Sequence, residues 1–210
     1  VLSGTDLSLH SVLNQTCTSK EWRTISLDDA SVSQESQEDT EYIKHVSWNP
    51  YSPFSTGSGV LAAKKFCNKL DAVVIHVLNQ HISIPFYQVT WTNIEYAIDR
   101  TLKSVFFLIR EFSVQLMRQG QGLLLLAYRR LLEKEEDPLS AMIDHAIIRM
   151  GERLFDQFAY TDILFHAVHS EESSENGFAA HIMSLLESVP GRAKRWSRYN
   201  ERSTMFLFRN

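Results

Sequence analysis

Gly122-Leu123-Leu124-Leu125-Leu126-Ala127-Tyr128 is an uninterrupted apolar run between a glycine-rich turn, Gln119-Gly120-Gln121-Gly122, and the charged pair Arg129-Arg130. A run this short, apolar at odd and even positions alike, has the signature of a strand buried on both faces of a parallel sheet. Downstream, Asp137-Pro138 opens a stretch with apolar residues at Met142, Ile143, Ala146, Ile147, Met150 and Leu154. That spacing predicts a helix with one broad buried face. Upstream, 91–119 carries a long helical pattern in which Ile94, Ile98, Leu102, Val105, Phe106, Ile109, Phe112 and Leu116 form an apolar stripe flanked by Phe107, Leu108 and Val114. So much apolar surface fits either a deep core helix or a helix whose outer face meets a partner.

The rest of the chain repeats the alternation of strand and helix. Strands are expected at 1–4, 22–27, 42–48, 70–77 and 163–169, with Met205-Phe206-Leu207-Phe208 as a last edge strand. Helices are expected up to Thr16, over 59–69 with Leu61, Ala62 and Phe66 buried, and over 178–189, where Pro190-Gly191 stops the last one. Asn49-Pro50-Tyr51-Ser52-Pro53 forbids regular pairing. The acidic, polar segment at 30–41 has little to bury and is expected to be a mobile loop. These elements predict a single trimmed α/β domain over 1–210, a Rossmann-like parallel sheet with helices on both faces.

Composition narrows the functional classes. At 210 residues the chain fits one domain with a sizeable core. No apolar run approaches the roughly 18 residues of a membrane span. A net charge of -4 provides no global field for nucleic acid or an anionic membrane. Two cysteines, Cys17 and Cys67, are too few for a disulfide scaffold, and reduced thiols point to a reducing intracellular compartment. Val1 already lies in the first strand, so a preceding segment, including any targeting peptide for an organelle, is expected to have been removed.

The succession of elements resembles the short-chain dehydrogenase/reductase family, Rossmann-type oxidoreductases. Ser3-Gly4-Thr5 stands where that family has Thr-Gly followed by two further glycines, and Ser8 and His10 occupy the later glycine places. Both side chains are expected to intrude on the space a pyrophosphate needs at the helix N-terminus. Leu70-Asp71-Ala72-Val73-Val74 resembles the family's Leu-Asp-x-Leu-Val strand, but Ile75-His76-Val77-Leu78 replaces its Asn-Asn-Ala-Gly. The family's catalytic Asn, Ser, Tyr and Lys fall on Thr101, Tyr128, Ala141 and His145, with Arg129 the other candidate for the serine. That chemistry needs a phenol as proton donor, a lysine to tune it, and a hydroxyl to polarise the carbonyl. None of these groups remains in its place, so the resemblance implies a scaffold with no catalytic residue and no bound cofactor.

Other candidates stay open. Asp28-Asp29 either holds an adenosine ribose, as the resemblance implies, or is a solvated turn. Tyr128 is either a stand-in acid or a packing aromatic with its hydroxyl hydrogen-bonded. His145 reads as a helix-face histidine without a phenol to tune. His166 and His169 point to opposite sheet faces, and His76 and His81 are split by a strand end, so no metal site is expected. Cys17 and Cys67 lack an evident base. Arg192, Lys194, Arg195, Arg198 and Arg202, interleaved with Trp196 and Tyr199, could contact RNA or an acidic partner, or form a solvated segment whose Trp caps the core.

The expected function is a non-catalytic structural or interaction subunit. In the family the two long helices pair across subunits, which implies a partner surface at Leu102, Phe106 and Ile109 with Ile147, Met150 and Leu154. The partner is a second copy or a related subunit of a larger assembly. The competing expectations are a divergent NAD(P)-dependent oxidoreductase using Tyr128, and an RNA-contacting subunit working through 192–202.

Overall fold

The structure, a computed structural model, describes residues 1–30, 39–79, 84–130, 137–171, 174–188 and 191–200. The apolar run becomes strand β5 (Gly122–Arg130), paired in parallel with β4 (Ala72–Asn79) and β6 (Ile163–Ser170). With β1 (Leu2–Gly4), β2 (Thr24–Asp29), β3 (Ile43–Trp48) and β7 (Ser197–Tyr199) it forms a seven-stranded sheet in the order β3-β2-β1-β4-β5-β6-β7. Each neighbouring pair is parallel. Chain direction across the sheet reverses between β1 and β4, which opens a crevice at the carboxyl ends of the strands.

Leu123 to Tyr128 are all buried, and strand alternation divides them between two cores. Leu124, Leu126 and Tyr128 pack under α2 (Pro53–Cys67), α4 (Ser104–Gln119) and α5 (Pro138–Phe158). Leu125 and Ala127 face α1 (Leu7–Ser19) and α6 (Glu175–Ser188). The expected Rossmann-like sheet with helices on both faces is therefore the observed architecture. No helix among the described residues is long and apolar enough to cross a membrane.

Several boundaries differ from expectation for identifiable reasons. Helix α2 begins at Pro53, not near Gly59, because Ser52 accepts from the Ser55 amide and Pro53 needs no amide partner at the first helical position. Its buried face is Thr56, Gly59, Val60 and Ala63, while Leu61 is 69% exposed. The long helical pattern is interrupted: α3 (Trp91–Ala97) passes into a π-helical stretch, Ile98–Lys103, before α4. The wider turn shifts the phase, so Phe106 is 58% exposed and Leu108 fully buried. The seventh strand comes from the basic segment at Ser197–Tyr199. The strand expected at 205–208 and most of the loop expected at 30–41 lie outside the described residues.

The turn out of β1 depends on one glycine. Gly4 has φ of 147°, and a Cβ there would lie 1.7 Å from the His76 carbonyl oxygen on β4. Gly120, the left-handed cap of α4, has nothing within 4 Å of its Cβ position. Gly4→Ala should therefore prevent stable folding, a loss on the order of 3 kcal/mol or more. Gly120→Ala should lose only about 1–2 kcal/mol. Thermal melts of the two variants check this contrast.

Candidate functional site

The residues that replace the family's motifs gather at the carboxyl ends of the strands, one set on each face of the sheet. After Gly4 the chain turns through Thr5, whose amide donates to the His76 carbonyl at 2.9 Å. Asp6 then caps α1, accepting from the Leu9 amide at 3.2 Å. From the end of β5, Arg129 reaches past β4 and grips this carboxylate at two points, Nε to Oδ2 and Nη2 to Oδ1, both 2.7 Å. Arg129 also donates to Ser8 Oγ at 2.6 Å and pairs with Glu175, the first residue of α6, at 2.8 Å. The Arg129 and Asp6 side chains are only 2% and 0% exposed. Burial works against the Arg129 charge, but Asp6 and Glu175 more than offset it and raise its pKa. The guanidinium in turn holds the Glu175 carboxyl below its usual range.

Beside this ion pair a second polar chain runs beneath α1. His10 does not project into the space at the helix N-terminus as expected; it turns inward and is buried. Its Nδ1 lies 2.6 Å from His76 Nε2, so one of the two nitrogens carries the proton between them. Its Nε2 meets Asp28 Oδ1 at 2.9 Å and Ser26 Oγ at 2.5 Å. Asp28 also accepts from Ser26 Oγ at 2.6 Å and from His45 Nδ1 at 2.7 Å. Burial alone would raise the Asp28 carboxyl, but the donors His10, Ser26 and His45 together lower it. Burial pushes His76 well below its ordinary value.

Asp28-Asp29 is thus no solvated turn. Both residues belong to β2, and buried Asp29 pairs with Arg100 of the π-helical stretch at 3.4 Å.

On the opposite face, Asp137 caps α5 by accepting from the amides of Leu139 and Ser140, at 3.0 and 2.9 Å. Buried Asp144 pairs with Arg130 at 2.5 Å and accepts from Asn79 Nδ2 at 2.6 Å. Asn79, the last residue of β4, also donates to the Ser140 carbonyl at 2.9 Å. The pair on α5 that turns inward at a four-residue spacing is therefore Ser140 and Asp144, one position before Ala141 and His145. Ala141 is half-buried; His145 is exposed, its Nδ1 2.8 Å from the Ala141 carbonyl. Thr101 is buried inside the π-helical stretch. Tyr128 is buried, but its hydroxyl has no hydrogen-bond partner among the described residues, contrary to the packing expectation.

The expected partner surface divides in two. Ile109 and Ile147 are 5% and 0% exposed and belong to the core beneath their helices, so neither can meet a partner. Leu102, Phe106 and Met150, with Phe107 and Ala146, line an outer groove of about 270 Å³ between α4 and α5. Leu154 is half-buried against the same core. In the described part of the basic segment, Lys194 and Arg195 are exposed, whereas Arg192 and Arg198 have partners. Arg192 donates to the carbonyls of Phe158, Ala159 and Thr161 at 2.6, 2.5 and 2.5 Å, and Arg198 pairs with Glu171. Arg202 lies outside the described residues.

Sequence reasoning missed Asp6, Asn79, Ser140 and Asp144. Asp6 carried the available signal, an aspartate at the N-cap position before an apolar-periodic helix. Arg129 and Arg130 read as a strand-ending charge pair, and nothing local marks Arg129 as buried and Arg130 as half-buried.

Two outcomes test this arrangement. Arg129→Ala strands Asp6 as a buried charge and should lose about 3–5 kcal/mol of stability, read from denaturant unfolding. Separately, burial lowers the pKa of His76, His166, His169 and His181 from an ordinary 6.5. Because the unfolded chain takes up these protons more readily, stability is full above that value and falls as pH drops below it. Melting temperatures between pH 8 and pH 5 should therefore decline progressively below about 6.5. His181 Nε2 has no partner among the described residues, so His181→Phe should make the decline shallower.

No family model matches the sequence, and no curated protein matches it. Solved structures do match. A 3-ketoacyl-(acyl-carrier-protein) reductase from Brucella melitensis, complexed with NADH, superposes with a TM-score of 0.75 at 11% identity, over 94% of this chain and 96% of that one. An oxidoreductase of the short chain dehydrogenase/reductase family from Brucella ovis, with a partially ordered NAD, gives 0.71 at 13%, over 95% and 98%. A short chain dehydrogenase/reductase from Burkholderia phymatum in complex with NAD gives 0.70 at 8%, over 98% and 91%. At such identities the likeness is one of architecture, and the chain has the fold of the short-chain dehydrogenases/reductases.

Proposed function

We propose that this chain is a non-catalytic protein on the short-chain dehydrogenase/reductase scaffold, serving as a structural or interaction subunit. Its partner surface is the outer groove lined by Leu102, Phe106 and Met150, which meets a second copy or a related subunit. The observation that carries the proposal is the ion pair of Asp6 and Arg129 at the N-terminus of α1. In Rossmann folds that terminus receives a pyrophosphate, because free amides and the helix dipole favour an anion. Here the chain's own carboxylate accepts from the helix, and an internal guanidinium neutralises it. The helix amide and the guanidinium that an incoming phosphate would use are thus already engaged by Asp6. The residues present therefore do not fit a dinucleotide bound in the usual manner.

Proton transfer fares no better at the aligned positions. Ala141 has no proton to give, and His145 is exposed and bonded back to its own helix. The groove, by contrast, is lined by Leu102, Phe106, Phe107, Ala146 and Met150 with Lys103 its one charged residue, and Phe106 is 58% exposed.

A second reading draws on Tyr128. A buried phenol without a partner among the described residues could serve as the acid, and all three structural neighbours named above hold NADH or NAD. It would make the protein a divergent oxidoreductase with a rearranged site. One set of measurements separates the two readings. Under our proposal the wild-type protein has a solution mass above one chain, and Phe106→Ala combined with Met150→Ala lowers it. NAD and NADP leave the melting temperature unmoved, whereas a ligand at about 100 times its Kd would add about 2.7 kcal/mol. A monomer in both cases counts against self-pairing, and a dinucleotide-induced shift favours the oxidoreductase.

A further inference from the structure

The connector from β4 to α3 presents a set of aromatics that neither reading uses. From Ile84 to Ile94 the chain carries no Asp, Glu, Lys or Arg. Val89 and Ile94 pack against the core and hold the connector down. Phe86, Tyr87 and Trp91 are turned outward instead, 70%, 84% and 79% exposed. Three rings so fully exposed within six residues, with no charge among them, form an apolar patch of the kind that marks a contact surface. None of them lines the groove between α4 and α5.

Much of the backbone under these rings is bonded within the segment. The Gln88 and Val89 amides donate to the Pro85 and Phe86 carbonyls at 2.7 and 3.2 Å, and Pro85 has no amide to satisfy. Thr90 and Asn93 then cap α3 reciprocally: the Thr90 amide donates to Asn93 Oδ1 at 2.9 Å, and the Asn93 amide to Thr90 Oγ1 at 3.3 Å. The Ile94 amide donates to the Thr90 carbonyl at 3.1 Å. A segment entering the boundary of a bilayer loses water, and amides already bonded within it escape that cost. The same bonding withholds these amides from a partner strand, which would pair through them.

We propose that Phe86, Tyr87 and Trp91 dock this protein on the surface of a zwitterionic lipid bilayer, with the three rings at the headgroup boundary. Ring type and charge together define that partner. Tyr and Trp join an apolar body to a polar tip, which suits the boundary between lipid and water, and Phe adds a wholly apolar contact. Anionic lipid is drawn by clusters of Lys and Arg, and this segment has none, in a chain whose net charge is -4. The contact is therefore driven by apolar burial and is indifferent to salt. Three rings make a modest anchor, so docking is reversible.

Flotation of the full chain with phosphatidylcholine vesicles tests this. The wild-type protein should float with them, equally in low salt and in about 0.5 M NaCl. Phe86→Ala, Tyr87→Ala and Trp91→Ala combined should weaken binding on the order of tenfold or more. Their melting temperature should match that of wild type, because all three side chains are exposed. Vesicles of acyl-brominated phosphatidylcholine should quench part of the tryptophan fluorescence. Trp91→Phe should keep the flotation yet abolish that quenching, since Trp22, Trp48 and Trp196 are buried or half-buried elsewhere. No flotation, flotation that the triple variant retains in full, or binding that requires anionic lipid and is lost in salt overturns the proposal. So does a solution mass above one chain that the triple variant lowers without lipid, which would make the rings a protein contact.

Discussion

Two successive arginines at the end of a fully buried strand set the terms for everything near them. Strand alternation sends Arg129 and Arg130 to opposite faces of the sheet, and a guanidinium brought out of water must find a carboxylate. Arg129 finds Asp6 at the start of α1, and Arg130 finds Asp144 inside α5. These two pairs tie the central strand to the first helix on one side and to the fifth on the other. Breaking either would leave a buried charge unanswered, so each pair also fixes which elements can sit at the crevice. The apolar middle of β5 supplies the driving force for the sheet, and the charged end of β5 specifies what closes it.

The same logic extends along the crevice. A Rossmann crevice is polar because it is shaped for a charged ligand, and a chain that fills the space itself must satisfy the polar atoms left behind. The chain of His76, His10, Asp28 and His45 does this beneath α1, and Asn79 with Asp144 does it beneath α5. Internal side chains thus hydrogen-bond one another beneath both helices. The pairing is not complete, since His76 Nδ1 and the Tyr128 hydroxyl have no hydrogen-bond partner among the described residues.

Much of the architecture was legible in residues 122–128, because a seven-residue apolar run leaves few alternatives to a central parallel strand. Failures cluster where local signals conflict. Gly57, Ser58 and Gly59 hid the start of α2, although Ser52 and Pro53 marked it. A wider helical turn at Ile98–Lys103 carries no composition of its own, so the stripe through Phe106 was extrapolated in the wrong phase. Ile109 and Ile147 were apolar at the right spacing for a surface and proved to be core, since spacing gives a face but not which side of it is covered. The polar constellation was the least legible. Its members lie as far as 123 positions apart, and only the fold makes neighbours of Asp6 and Arg129.

The π-helical stretch has a consequence for how this surface can change. Helices α3 and α4 run on from one another, yet the wide turn between them sets each one's rotation separately, since one residue corresponds to about 100° of azimuth. Substitutions on the outward face around Phe106 can therefore retune that surface without repacking Leu108 and Phe112 against the sheet.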